Sequence, residues 1–210
     1  MSPRKKQRKK TPPHPYSRWF LVSGVTLIGI GLLLLILTFL PVITVELHYD
    51  AAQLDPKQEN TVQKPVNPQF GIVIPKIGAN AAIVPNVDPY NSRVYQQALT
   101  KGVAHAKGSV FPGRVGNMFL FSHSSVNFYE AMRFNSVFYL LNKLQSGDQI
   151  DIYFETKKFT YTVFESKLVN PNDVSYLMEK TNDSLLTLMT CWPPGTTFKR
   201  LIVRAKLLTN

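Results

Sequence analysis

The chain has two regimes of hydrophobic patterning. From Trp19 to Val45, about 27 residues pass without a charge, centred on the apolar run Leu27 to Leu37. About 20 apolar residues cross a bilayer as a helix. A cleaved signal peptide carries an apolar core of only about 7–15 residues and a small-residue cleavage site. Pro41-Val42-Ile43-Thr44-Val45 offers no such site, so a retained membrane anchor is expected over 19–45.

Beyond it, residues 46–68 are rich in Gln, Lys, Asn and Pro without a hydrophobic period, the pattern of a linker. From about residue 69 short apolar and alternating runs recur between turn residues. Phe70–Ile74 reads as a strand stopped by Pro75, and Ala81–Val84 as one stopped by Pro85. Asn117–His123, Gln149–Phe154, Phe159–Phe164, Ser184–Thr190 and Lys199–Leu207 follow. Lys157-Lys158 is expected at the turn of a hairpin. Short helices are expected at about 91–100, 136–144 and 173–179. Many strands with turn residues between them predict a mainly β domain, a small barrel or sandwich, over 69–210.

Charge changes the picture in one respect. The formal net charge is +11, but seven basic residues and no acidic ones lie in residues 1–18. The rest of the chain carries 17 basic and 13 acidic residues. The excess is a tail beside the apolar run, which argues against a nucleic-acid-binding face. Lys and Arg favour the cytoplasmic side. A cytoplasmic 1–18, a single span and an extracellular remainder are therefore expected.

One cysteine excludes an internal disulfide. Cys191 follows the apolar run Leu185–Thr190 and precedes Trp192-Pro193-Pro194-Gly195, so it is expected as the hinge between strand and turn, at a rim. Alternation places Leu185, Thr187, Met189 and Cys191 on one face. A thiol needs a nearby base or cation to populate its nucleophilic thiolate. His14 is expected in the cytoplasm and His48 next to the membrane, which leaves His123 and His105. His123 ends an apolar strand as Cys191 does, and His105, in Gly102-Val103-Ala104-His105, is its competitor. Arg200, nine residues after Cys191, has a permanent charge and planar donors suited to an oxyanion. Arg204 shares its strand face farther from the loop. No Cys/His or carboxylate spacing suggests a metal site.

Taken together, these residues resemble the sortase family of bacterial cell-surface transpeptidases over about residues 70–208. The likeness is carried by Ile74-Pro75-Lys76-Ile77-Gly78, Gly102-Val103-Ala104-His105 with Gly108-Ser109, and Pro112-Gly113 with Gly116-Asn117. It continues in Phe121-Ser122-His123-Ser124, Gly147-Asp148, Leu188-Met189-Thr190-Cys191 and Arg200-Leu201-Ile202-Val203. The resemblance implies a closed eight-stranded β-barrel. It implies Cys191 as nucleophile, His123 as acid/base and Arg200 as the residue that positions substrate and stabilises the oxyanion. It implies a sorting-signal groove including Phe121, Val169, Met189 and Thr190, closed by a loop over Val169–Leu177. The implied reaction cleaves a Leu-Pro-x-Thr-Gly-like signal through a thioester and passes the acyl group to an amine. The partners would be surface proteins with C-terminal sorting signals and an amine from a wall precursor or a pilin. No cofactor is implied, although some sortases use calcium.

Overall fold

The computed structural model describes residues 19–37, 63–124, 137–177 and 179–208. The expected basic tail, the far end of the anchor (38–45) and most of the linker (46–62) lie outside these residues. Two compact units, Met1–Leu40 and Pro41–Asn210, divide the chain.

In the first, helix α1 (Trp19–Leu37) has 19 residues, nearly all exposed and apolar. At 1.5 Å per residue it is about 28 Å long, close to the roughly 30 Å of a bilayer's hydrocarbon core. Its two hydroxyls are satisfied within the helix: Ser23 Oγ donates to Phe20 O at 3.1 Å and Thr26 Oγ1 to Val22 O at 2.8 Å. Such self-satisfaction is what a lipid environment demands. The helix fits a membrane anchor.

The second unit is a closed barrel of eight strands. They are β1 (Phe70–Ile74), β2 (Ala79–Val87), β3 (Val103–Ala106), β4 (Gly116–Phe121), β5 (Gln149–Phe154), β6 (Lys157–Val169), β7 (Ser184–Trp192) and β8 (Lys199–Leu207). Around the barrel the order is β1-β2-β3-β4-β7-β8-β6-β5, and β5 pairs with β1 to close it. Two neighbouring pairs, β2/β3 and β4/β7, are parallel. The first is bridged by helix α2 (Ser92–Leu99), capped by Asn91, whose side chain accepts from Val94 N at 3.3 Å.

Alternation decides what each strand buries. Inward residues such as Ile72, Met118, Leu120, Ile152, Leu186 and Leu188 form one core, plugged by Phe138, Leu141 and Leu144. Outward residues Ala104, Ala106, Phe119 and Phe121 form a second, smaller core under Ala98 and Leu99 of α2. Partly buried Tyr176, Leu177 and Met189 pack against it. The barrel is therefore apolar on both faces around β3 and β4.

Several elements differ from expectation for local reasons. Pro85 does not stop β2, which runs on to Val87 through a register shift with Asn86 at φ 55°. Bulges are where a strand tolerates proline. The β5–β6 turn is Glu155-Thr156, both at positive φ. Its amides donate to Gln69 O and Pro68 O at 3.0 Å each, and Lys157 and Lys158 already belong to β6. The strand β3 was not expected, because all four of its residues are buried and show no alternation. Gly102 leads into it where any Cβ would meet Ala82 O at 2.2 Å. A helix is present at 92–99. Among the described residues of 136–144 the helical element is a 3-10 turn, Leu141–Lys143, and 175–177 form a turn.

Candidate active site

The pairing of β4, β7, β8 and β6 brings the candidate residues together. Phe121 of β4 is in register with Met189 of β7. The ladder continues one step past β4, where Ser122 N donates to Met189 O at 3.2 Å. There Thr190 Oγ1 donates to Ser122 O at 2.9 Å. The next residue on each chain is His123 and Cys191. Cys191 is directly paired with Arg200, and Arg200 with Val169. In antiparallel pairs such partners have Cα atoms about 4.5–5.5 Å apart.

A transverse row, Cys191–Arg200–Val169, thus crosses β7, β8 and β6 at one end of the barrel, and His123 follows two residues after the end of the adjoining strand β4. Behind it run the rows Phe121–Met189–Ile202–Lys167 and Phe119–Thr187–Arg204–Glu165. Alternation puts all three rows on the outer face. Cys191 is not the hinge anticipated from the sequence, since β7 continues through Trp192. His123, Cys191 and Arg200 are each half-buried. Cys191 has no disulfide partner. Arg200 Nη1 donates to Thr197 O and Lys199 O, both at 3.2 Å, so the β7–β8 loop orients the guanidinium.

Of the four groove candidates, Phe121, Met189 and Val169 lie on this outer face. The structure does not bring the Thr190 side chain there. It is buried with the inward residues, and its hydroxyl ties the ends of β7 and β4.

The two histidines are in different environments. His105 is fully buried in β3, edge-on to Phe70 and against Phe111 with ring centroids 4.7 Å apart. Its Nδ1 accepts from Asn86 N at 3.3 Å, which leaves the proton on Nε2. That N–H faces Val110 O at 3.1 Å and Ser109 Oγ at 2.9 Å. Ser109 in turn donates to Ala106 O at 2.8 Å. Burial pushes the His105 pKa below its ordinary value, partly offset by the bond to Val110. This is a neutral, fully used histidine in a separate part of the barrel wall.

A polar network on the outer face was not anticipated. Arg204 of β8 donates to Glu165 Oε2 at 2.9 Å and pairs with Glu179 of the β6–β7 connection. Lys167 pairs with Glu165 at 2.9 Å and lies 4.8 Å from the Tyr176 ring centre. The Lys167 ammonium, hydrogen-bonded to Glu165, and then Arg204 hold the Glu165 carboxyl below its usual range. On the β4 side, Asn117 Nδ2 donates to Tyr176 O at 2.7 Å, and Thr187 Oγ1 donates to Asn117 Oδ1 at 2.8 Å. The available signal was Thr187 on the face of Cys191 and Arg204 on that of Arg200. Among the described residues, no three His, Cys, Asp or Glu side chains stand together as metal ligands.

Comparison with known proteins agrees with this architecture. Residues 72–208 match the sortase domain family. Sortase D of Bacillus subtilis (strain 168) is 31% identical over 139 residues, 65% of this chain and 62% of that protein. The match therefore spans less than two thirds of that relative's length. The lid mutant of sortase A from Corynebacterium diphtheriae superposes with a TM-score of 0.56 at 27% identity, covering 76% of this chain and 77% of the other. A Clostridium perfringens sortase D5 transpeptidase gives a TM-score of 0.55 at 25% identity, covering 78% and 89%. With the family match spanning most of the barrel and more than half of the chain, this protein belongs to the sortase family, whose members are cysteine transpeptidases.

Proposed function

We propose that the chain is a membrane-anchored transpeptidase acting on proteins with a C-terminal sorting signal, with Cys191, His123 and Arg200 as its catalytic residues. The single observation that supports this reading is the pairing of Cys191 with Arg200 at the ends of β7 and β8, beside the end of β4 that leads into His123. In the proposed reaction the Cys191 thiolate attacks the Thr carbonyl carbon of a Leu-Pro-x-Thr-Gly-like signal, at the Thr–Gly bond. Arg200, with five N–H donors, holds the oxyanion of the tetrahedral intermediate. The His123 imidazolium gives its proton to the departing amine, the C–N bond breaks, and a thioester remains. An incoming amine attacks the thioester while neutral His123 takes up its proton. Cys191 then leaves as thiolate and a new amide has formed.

Phe121, Met189 and Val169 would line the groove for the signal, while Thr190 would fix the spacing of the two strand ends from behind. The row of basic residues before α1 supports a cytoplasmic N-terminus, a crossing by α1 and a barrel outside the cell.

The test uses the full chain in detergent with a fluorogenic sorting peptide and an added amine. Wild type should form the amine-capped product. Cys191→Ala and His123→Ala should lose turnover by at least about a thousandfold, as expected for groups that act as one unit. Wild-type turnover in either variant would overturn the assignment. Peptide cleavage independent of the amine would mark a hydrolase instead. In intact cells, a membrane-impermeant maleimide should label Cys191, and failure to label would contradict the proposed orientation.

A further inference from the structure

The described part of the β6–β7 connection, 170–177 and 179–183, reaches back over the outer face. Tyr176 and Leu177 pack against the small core that contains Phe121 and adjoins Met189. These are the residues behind the catalytic row. A connection of this length has many alternative paths, and closing it in one place has an entropic cost. What fixes it here is polar and comes from three strands. Arg204 reaches Glu179 in the connection and Glu165 on β6 at once. The Arg204 guanidinium carbon is also 5.8 Å from the Tyr176 ring centre and 5.2 Å from that of Phe164. Asn117 holds the Tyr176 carbonyl at 2.7 Å. The Arg204 side chain is only 15% exposed, and its Nε is buried without an acceptor among the described residues. A charge so far removed from water needs its carboxylates. Removing one partner of such a cluster is costly, because the other is left uncompensated.

We propose that Arg204 is a positioning residue that latches the β6–β7 connection onto the barrel through Glu179, building one wall of the substrate groove before substrate arrives. It acts on binding rather than on bond making, because it lies two rows from the row of Cys191. Its functional consequence rests on the transpeptidase reading; the latch itself does not.

The experiment compares wild type, Arg204→Met, Arg204→Lys and Glu179→Gln as full chains in detergent. Hydrogen–deuterium exchange is read over 170–183, and KM and kcat are read with the sorting peptide. Arg204→Met and Glu179→Gln should raise exchange of 170–183 by about tenfold, with β1 and β5 unchanged. KM should rise about fivefold to tenfold with kcat within about twofold of wild type, the signature of lost uniform binding. Arg204→Lys should recover part of both effects. Glu179→Gln keeps the Arg204–Glu165 pair, so it decides the matter even where Arg204→Met fails to fold. Unchanged exchange over 170–183 in Glu179→Gln overturns the latch. So does a fall in kcat at constant KM. A wild type that processes no sorting peptide would sink the transpeptidase reading and leave the exchange measurement to decide the latch.

Discussion

At the scale of single residues, the two histidines show how position decides chemistry. His105 has every ring nitrogen engaged and lies in an apolar wall. Its folded-state pKa is depressed below 6.5. Its stabilising effect is therefore complete above the unfolded value and is lost as pH falls from about 6.5 toward the folded value, because the unfolded chain binds the proton first. The midpoint of thermal unfolding should fall between pH 7.5 and pH 5. In His105→Gln, which keeps a donor and an acceptor but does not titrate, that fall should be smaller. Equal pH slopes in the two proteins would contradict the account. Sequence left His105 and His123 as competitors because both follow an apolar stretch. Only the burial of β3, a tertiary fact, separates them physically. Cys191 stood out as a candidate because a lone thiol after an apolar run and before Pro-Pro-Gly is an unusual local signal. Glu179 was not, since its partner Arg204 is 25 residues away.

At the scale of elements, the junction of β4 and β7 matters most. Thr190 donates its hydroxyl to Ser122 O across two strands that meet 68 residues apart. Thr190→Val preserves shape but removes the donor and leaves a buried carbonyl wanting. The cost should be about 1–2 kcal/mol in urea unfolding, with a loss of kcat larger than any change in KM if the strand ends part. Strand β5 was readable from period two and β7 from its apolar run, but β3, buried throughout, was not. The turn at Glu155-Thr156 carries no sequence signal, because neither residue advertises positive φ. Replacing the pair by Asn-Gly, which suits a two-residue hairpin turn, should raise stability by about 0.5–1 kcal/mol, seen as a higher urea midpoint with unchanged slope.

At the scale of the whole molecule, closure of the sheet is the fact that periodicity could not supply. Alternation tells which face of a strand is buried, but not which strand is its neighbour. The order β4-β7-β8-β6-β5-β1 joins segments far apart in the chain; the family resemblance pointed to a closed barrel of eight strands but not to this order. The interior filling that results is shared by all strands. Leu188, fully buried in it, should cost about 2–5 kcal/mol on truncation to Ala, read by chemical denaturation. Because Leu188 is on the opposite face of β7 from Cys191, the fraction of Leu188→Ala that remains folded should keep near-normal KM.

The transverse row has a further consequence. The proposed reactive groups Cys191 and Arg200 are on separate strands and His123 follows a third, so in the proposed reading none is carried by an independently folding fragment. A flexible catalytic loop can fail while its scaffold survives, but the proposed chemistry would share its hydrogen-bonded seams with the cooperative structure. Titration with urea should therefore extinguish turnover and far-ultraviolet circular dichroism along one superimposable curve, with no denaturant range in which a folded but silent enzyme accumulates.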